Sequence, residues 1–402
     1  MLSGNFKNSL GINGLGRIGK LTLWKFIKLE IFDSFVINVG REVGKSLQDL
    51  IDYTMHDSTY GSIEKFLFGI DAKIDCEIED EKNKIVRLFN KRIRFCTESR
   101  NPKDINWSSH GVKIVVDSTG AFLDPSLPAD HPGGSLRGHL DSGAQKVILS
   151  APFKFKNKTN QFPDDATMLV FGINHSSFDP LKHHIISAAS CTTTGLAHMM
   201  KPLLDINETS NIITASMSTI HAATNSQSIL DSVPKKGASD LRKSRSILDN
   251  IIISSTGAAK ALEYVIPAVK NIGFMADSVR IPTTTVSLIN LNVTFNTVLD
   301  DHGNPVINRE FINKIYSDAS RNSLEGLLSF SEKQNVSCDF KGGSSSIVIE
   351  GFSTHTRTGF VDIPPLQNVP VTHAKIFGWY DNEYGSYVNS LAKLTEYLEN
   401  NI

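Results

Sequence analysis

Leu10-Gly11-Ile12-Asn13-Gly14-Leu15-Gly16-Arg17-Ile18-Gly19 decides how the first half of this chain folds. Leu10–Asn13 is short and apolar, as a buried strand is. Three glycines follow, and then Ile18, Leu21, Leu23, Phe26 and Ile27 recur at helical spacing. The pattern is G-x-G-x-x-G in a strand–turn–helix context. Glycines let backbone come close to a pyrophosphate, whose charge meets the free N–H groups at the helix start. A bare match is often an ordinary turn. Its place near the N-terminus, ahead of a second apolar strand Phe35-Val36-Ile37-Asn38-Val39, favours the nucleotide reading.

Two more apolar runs extend the pattern. Lys113-Ile114-Val115-Val116-Asp117 ends in Ser118-Thr119-Gly120, and Lys146-Val147-Ile148-Leu149 ends in Ser150-Ala151-Pro152. Small polar residues at the carboxyl ends of buried parallel strands stand where ligands bind in open α/β sheets, although such residues also simply make turns.

The chain has 402 residues, 40% of them hydrophobic, enough for a large core and at least two domains. Its formal net charge of -1 gives no general attraction to nucleic acid. The four cysteines, Cys76, Cys96, Cys191 and Cys338, are scattered, with no C-x-x-C pair, so neither a zinc site nor any other metal site is expected. The same scatter suits a reducing, cytoplasmic setting. Met1–Ser9 lacks the apolar run of a signal peptide, and no stretch of about 18 uncharged apolar residues suggests a membrane span. The C-terminal Glu399-Asn400-Asn401-Ile402 is not a peroxisomal address. Residues 130–134 and 157–165 read as surface loops.

The second half carries a thiol. Cys191 precedes Leu196, Met199, Met200, Leu203 and Leu204 at helical spacing, so it stands at a helix N-terminus, where the positive end of the dipole favours a thiolate. A lone cysteine is more often inert and buried. A partner base stands about 30 residues on: the alternating run from Thr214 to Ile220 ends in His221, and a histidine at a strand end can face a thiol across a cleft. His183-His184 offers no such pattern and reads as a surface pair. Thr256-Gly257 opens a helix and suits an anion or a plain N-cap. Lys235, Lys236, Arg242, Lys243 and Arg245 form a basic loop, and Arg280 returns at an expected turn over 279–283, together suggesting a phosphate surface.

These residues, in this order, resemble the glyceraldehyde-3-phosphate dehydrogenase family. The likeness is collinear over nearly the whole chain and includes Ile12–Gly19, Asp57-Ser58-Thr59-x-Gly61, Ser118–Gly120, Ser150–Pro152, Ala189–Thr193, His221-Ala222-x-Thr224, Ser255–Lys260, Arg280–Thr283 and Trp379–Glu383. The resemblance implies an α/β chain: a Rossmann-like dinucleotide-binding domain over 1–190, and an α+β catalytic domain with a mostly antiparallel sheet over 191–383. A C-terminal helix over 384–402 would return to the first domain. It implies NAD or NADP held by Gly14, Gly16, Arg17, Ile18, Gly19, Arg41, Arg100, Ser118, Thr119, Gly120, Ser150 and Asn382. It assigns catalysis to Cys191 as nucleophile and His221 as base, the substrate phosphate to Thr224 and Arg280, and inorganic phosphate to Ser190, Thr192, Thr256 and Gly257 with help from Lys243. The loop 225–254 packs beside a neighbour's cofactor in this family, so a homotetramer is expected. The implied reaction is oxidation of glyceraldehyde 3-phosphate to an acyl phosphate. The alternatives are an erythrose-4-phosphate dehydrogenase, a relative that hydrolyses its thioester, and a catalytically weak paralogue kept as an interaction protein.

The chain departs from the family in places. Ala188 replaces Asn before the thiol, and Thr194-Gly195 replaces Asn-Cys after it, removing a second cysteine one helical turn on. Ser386 stands where Tyr is usual, and 124–137 and 154–166 are extra. Ile37-Asn38 is followed by Val39-Gly40-Arg41, where the family has Asp directly after Asn. The acid that repels a 2′-phosphate is missing and a guanidinium stands nearby, so cofactor choice should lean toward NADP unless Glu42 turns inward in its place.

Overall fold

A computed structural model describes residues 6, 8–155, 161–234, 236–363 and 365–402. Lys235 of the basic loop and residues 156–160 of the second insertion lie outside the described residues. Backbone contacts divide the chain into two compact units. One is Met1–Phe171, His175–Ser190 and Leu391–Ile402; the other is Gly172–Asn174 and Cys191–Ser390. Residues 384–390, expected with the first domain, thus group with the second. Among the described residues no helix is long and apolar enough to cross a membrane.

The first unit is built on one sheet whose described strands run, side by side, Ala166–Met168, Ile185–Ser187, Lys146–Leu149, Val112–Asp117, Ser9–Asn13, Ser34–Asn38, Lys91–Cys96, Ile85–Leu88 and Cys76–Asp80. All pairings from Ala166–Met168 to Lys91–Cys96 are parallel, and the last two are antiparallel. Ser9–Asn13 lies between Val112–Asp117 and Ser34–Asn38, so the strand order reverses there. That reversal opens a crevice beyond the strand ends. Every residue of Ser9–Asn13 and Ser34–Asn38 is buried, which explains the apolar Leu10-Gly11-Ile12 and Phe35-Val36-Ile37 at their centres. Helix Arg17–Leu29 covers this region with Leu21, Leu23, Trp24 and Phe26, all 0% exposed.

The two insertions help build a single satellite core. Phe122, Leu136, Phe153 and Ala166 are buried with Val147, Leu149 and Ile185, and Phe155 and Phe162 pack against them. Arg137 of the first insertion holds Asp165 of the second through two hydrogen bonds of 2.8 and 2.7 Å.

The second unit has a sheet in the order Ile252–Ser255, Gly273–Ile281, Ile212–Ala222, Ser287–Asn296, Leu366–Tyr380, Ile347–Glu350 and Leu328–Ser331, with His355–Ile363 also paired to Leu366–Tyr380. Its pairings are antiparallel except Ile212–Ala222 with Gly273–Ile281 and Leu328–Ser331 with Ile347–Glu350. Strict alternation along Ser287–Asn296 turns Ile289, Leu291, Val293 and Phe295 inward, each 0% exposed. Helix Cys191–Asp205 packs on this face of the sheet. Two sequence expectations are corrected. Arg280 lies inside strand Gly273–Ile281 rather than on a turn, because the chain reverses only at Pro282 and beyond. His183 and His184 are half-buried, not a surface pair: His183 Nδ1 accepts from the Asp179 N–H at 3.0 Å, and His184 lies 3.4 Å from Lys146 Nζ.

Candidate active site

In the first unit the glycine turn is built as the motif requires. Gly14 has φ +93° and donates its N–H to Asn38 O at 2.8 Å. A Cβ on Gly19 would come within 2.0 Å of Gly14 O, so no side chain fits there. Helix Arg17–Leu29 starts at Gly16 with no side-chain cap, leaving its first N–H groups for an anion. Ser118 Oγ donates to Gly14 O at 2.9 Å and fastens the turn to the next strand end. Thr119 is held on Asp117, Gly120 is exposed with φ +65°, and Ser150 donates its N–H to Asp117 O at 2.9 Å. Ile18 is half-buried one residue into the helix. Arg17 does not stand free: its guanidinium pairs with buried Asp57, which Lys20 Nζ also approaches at 3.0 Å. These residues fit a dinucleotide.

Beside the turn a hollow of about 370 Å³ is lined by Leu15, Gly16, Val39, Arg41, Val43, Leu50 and Tyr53. Arg41 is exposed on its wall, and exposed Arg100 crosses Gly40, where a Cβ would stand 2.8 Å from Arg100 Cγ. Glu42 has not turned inward. Its carboxylate accepts from Lys84 Nζ at 2.6 Å and Thr97 Oγ1 at 2.8 Å, and these bonds hold its pKa below the ordinary carboxylate value.

A buried chain of hydrogen bonds that sequence reading missed lies under this turn. Trp107 Nε1 donates to His139 Nδ1 at 2.9 Å, His139 Nε2 lies 3.0 Å from Asp117 Oδ2, and Asn13 Nδ2 donates to the same oxygen at 2.8 Å. The tryptophan N–H can only donate, so His139 carries its proton on Nε2 and gives it to Asp117.

In the second unit Cys191 is the first residue of its helix and half-buried. The turn before it is tight: Ala189 has φ +56° and donates its N–H to Ser187 Oγ at 3.1 Å. Strands Ile212–Ala222 and Gly273–Ile281 place His221 and Arg280 side by side in register. His221 Nε2 stands 3.5 Å from Cys191 Sγ, and its other ring nitrogen lies 2.7 Å from Arg280 Nη1. Burial, then the Arg280 charge, lowers the His221 pKa to about 3. Burial also pushes the Cys191 thiol up, against the downward pull of the Arg280 charge and of hydrogen bonds at Thr192. Desolvation of the sulfur thus opposes the thiolate that the helix start and the neighbouring cation favour.

Tyr380, which carries no sequence signal beyond its place in a conspicuous motif, organises this cluster. Its hydroxyl lies 3.0 Å from Thr192 Oγ1 and 2.7 Å from Thr219 Oγ1, and its ring meets His221 edge-on at 6.1 Å. Ser287, invisible in its alternating strand, accepts from Ala222 N–H at 3.1 Å and donates to Asn382 Oδ1 at 2.9 Å, so it fixes which way the Asn382 amide faces.

The remaining anion candidates are more dispersed. Ser190 is half-buried. Thr224 is exposed, 2.9 Å from Ser226 Oγ. Thr256 Oγ1 accepts from Ala258 N–H at 3.2 Å, and Gly257 caps helix Ala258–Val265, which packs on the Cys191 helix. Lys243 is exposed in the short turn Leu241–Ser244. Arg280 Nε and Thr283 Oγ1 are buried and lack a hydrogen-bond partner, as donors awaiting an anion do.

The departures near the thiol also have local reasons. A Cβ on Gly195 would meet Ile347 Cδ1 at 3.2 Å and Ile289 Cδ1 at 3.3 Å, so any side chain there must push them aside. Ser386 Oγ donates to Ser345 O at 2.6 Å and accepts from Asp381 N–H at 2.9 Å within the single π-turn Tyr384–Val388.

Residues 8–125 match the model of the glyceraldehyde 3-phosphate dehydrogenase NAD-binding domain, and residues 190–382 match that of the C-terminal domain. The chain is 34% identical to glyceraldehyde-3-phosphate dehydrogenase 1 of Bacillus cereus over 97% of its own length and 98% of the relative's. It is 34% identical to glyceraldehyde-3-phosphate dehydrogenase 1 of Bacillus subtilis over 97% of each. It is 33% identical to glyceraldehyde-3-phosphate dehydrogenase 3.1 of Caenorhabditis briggsae over 98% of each. With a Rossmann-type nucleotide turn in one unit and a cysteine–histidine pair in the other, this chain belongs to the glyceraldehyde-3-phosphate dehydrogenase family of nicotinamide-dependent oxidoreductases.

Proposed function

We propose that the chain oxidises glyceraldehyde 3-phosphate with inorganic phosphate to 1,3-bisphosphoglycerate. The observation that carries this reading is the 3.5 Å approach of Cys191 Sγ to His221 Nε2, beside an Arg280 whose buried Nε has no partner. Cys191 Sγ attacks the aldehyde carbon, forming a C–S bond as the carbonyl π pair moves to oxygen and the thiol proton passes to that oxygen. The bound nicotinamide supplies the hydride acceptor. As the carbon loses hydride, His221 Nε2 takes the hydroxyl proton, leaving a thioester on Cys191. A phosphate oxygen then attacks the thioester carbon and the Cys191 thiolate leaves. Thr224 and Arg280 hold the substrate phosphate; Ser190, Thr192, Thr256 and Gly257, with Lys243 lending charge, hold the incoming one. Absorbance at 340 nm on adding glyceraldehyde 3-phosphate tests this. Reduced cofactor should accumulate over many turnovers only with inorganic phosphate present. Turnover without phosphate would favour hydrolysis, and a faster reaction with erythrose 4-phosphate would move the substrate.

Cofactor choice leans toward NADP. Arg41 lines the hollow beside the glycine turn, Arg100 crosses nearby, and Glu42 is committed to Lys84 and Thr97 instead of replacing the absent aspartate. A guanidinium suits a 2′-phosphate, and among the described residues that line the hollow none is a carboxylate that would repel it. The expected kcat/KM with NADP equals or exceeds that with NAD. A ratio favouring NAD by about a hundredfold, roughly 2.7 kcal/mol, would mean that another group does the missing acid's work.

A further inference from the structure

Strand Val112–Asp117 ends in a carboxylate that is 0% exposed. Both oxygens of Asp117 are fully used. Oδ2 accepts from Asn13 Nδ2 at 2.8 Å and from His139 Nε2 at 3.0 Å; Oδ1 accepts from the Thr119 N–H at 3.0 Å and from Thr119 Oγ1 at 2.7 Å. Among the described residues, His139 is the one basic side chain on it. A buried carboxylate is costly even when neutral donors satisfy it, and an apolar strand end is not. This one joins two strand ends: Asn13 leads directly into Gly14, and Thr119 into Gly120. Thr119 also packs on the glycine turn, since a Cβ on Gly14 would come within 3.0 Å of Thr119 Cγ2. The bond from Thr119 Oγ1 to Asp117 sets which way that methyl points. Asn13 Oδ1 in turn accepts from Asn38 Nδ2 at 2.8 Å, and Asn38 Nδ2 also reaches Ser99 O at 3.1 Å, beside Arg100. The chain ends after Asn13, Asn38 and Asp117 thus hang on one carboxylate.

We propose that Asp117 is a positioning residue for the dinucleotide, and that Trp107 and His139 hold it in that role by presenting a donor that cannot reverse. The Trp107 N–H meets His139 Nδ1 at 2.9 Å and can only donate, so the ring turns its proton outward on Nε2, to Asp117. Every donor in the chain points the same way. An amide at position 117 would aim an N–H at His139 or Asn13, and neither offers a lone pair there. His139 could accept only by moving its proton to Nδ1, where the Trp107 N–H stands. Asn13 could accept only by flipping its amide, which would set its N–H groups against Asn38 Nδ2. A change at either end therefore travels to the glycine turn. His139 stands on helix Leu136–Asp141, where the first insertion ends, so the inserted segment reaches the turn through this ring. The proposal rests on the reading that Gly14, Gly16, Thr119 and Gly120 hold the dinucleotide. The chain shares no residue with the Cys191–His221 pair. Its loss weakens cofactor binding and leaves turnover at saturating cofactor nearly intact.

The test is calorimetric binding of NADH and of NADPH to the full-length protein, read beside the cofactor KM and kcat. His139→Phe, which removes both donor and acceptor, and Asp117→Asn should each weaken binding of the preferred cofactor by about tenfold or more. The cofactor KM should rise in step, with kcat at saturating cofactor within about twofold of wild type. His139→Gln keeps an N–H at the reach of Nε2 and should recover most of the affinity. Leu136→Ala is the structural control: it empties buried volume on the same helix but takes no donor from Asp117. It should lower the urea midpoint at least as far as His139→Phe and leave cofactor affinity alone. Wild-type affinity in a folded His139→Phe overturns the proposal. So does equal weakening in Leu136→Ala, or a His139→Gln no better than His139→Phe. Should Asp117→Asn fail to fold, Trp107→Phe carries the same argument: freeing the ring should weaken binding by about threefold, and unchanged binding overturns the one-way chain. Gly14→Val separates the proposal from the reading beneath it. Undiminished binding there unseats the glycine turn itself, whereas binding lost there but kept in His139→Phe strikes down Asp117 alone.

Discussion

His221 is the residue whose loss separates chemistry from binding. Its ring stands 3.5 Å from the Cys191 sulfur and is held neutral, with a pKa near 3, by burial and the Arg280 charge. A neutral imidazole is the form a base requires. Replacing it by Asn keeps a polar group of similar reach but removes the proton acceptor. The hydride step of His221→Asn should fall by about two to four orders of magnitude, with substrate affinity changed far less. Single-turnover stopped flow measures this, and a near-normal rate would take His221 out of the mechanism. Tyr380 and Ser287 act one step further back: one fixes the Thr192 hydroxyl next to the sulfur, the other the Asn382 amide.

At the scale of an element, helix Cys191–Asp205 carries a second buried histidine with a measurable consequence. His198 is 5% exposed; its Nδ1 donates to Thr194 O at 2.9 Å, and its Nε2 has no partner. Burial lowers its pKa from 6.5 to about 4. In the unfolded chain this imidazole titrates near 6.5, so between pH 6.5 and 4 the unfolded state binds the extra proton and the folded state does not. The stability contributed by neutral His198 is complete above pH 6.5 and is lost as the pH falls toward 4, by up to roughly 3 kcal/mol at 1.36 kcal/mol per unit. Urea midpoints at pH 7 and pH 4.5 should converge in His198→Gln relative to wild type. An identical loss in both proteins would show that this ring already protonates in the fold.

For the whole molecule the telling feature is apolar surface. Segment 225–254 exposes Ile229 at 69%, Leu230 at 72%, Val233 at 90% and Ile251 at 74%, and Met275 on strand Gly273–Ile281 is 73% exposed. A chain that stayed single would leave these side chains in water, and clustered exposed apolar residues mark association surfaces. We propose that this segment packs against another copy, as in the homotetramer that the family resemblance implies. Sedimentation equilibrium should give four times the 44.2 kDa chain mass, and Ile251→Asp should lower it. A wild-type monomer at micromolar concentration would sink the inference.

The local order of residues determined much of this protein by itself. The glycine turn needs no side chain at Gly14 and Gly19, the central strands need apolar runs, and Cys191 needs only the helix behind it; each is a short-range demand that one stretch of chain can meet. The α/β class and the nucleotide turn were legible for that reason, while the pairing of Cys191 with His221 was expected from the resemblance to a family. What required tertiary structure were contacts between groups far apart in the chain. Arg280 read as part of a turn, yet the register of two parallel strands sets its guanidinium on His221. Glu42 read as a possible stand-in for the missing acid, until Lys84 and Thr97 gave it partners elsewhere. The thiolate favoured by the helix start at Cys191 is opposed by desolvation, which depends on everything packed around the sulfur. The insertions carried no local sign of function, and only packing showed that Phe122, Phe153 and Phe162 share a core. Charge, proton position and burial are sums over neighbours in space, and those neighbours exist only after the chain has folded.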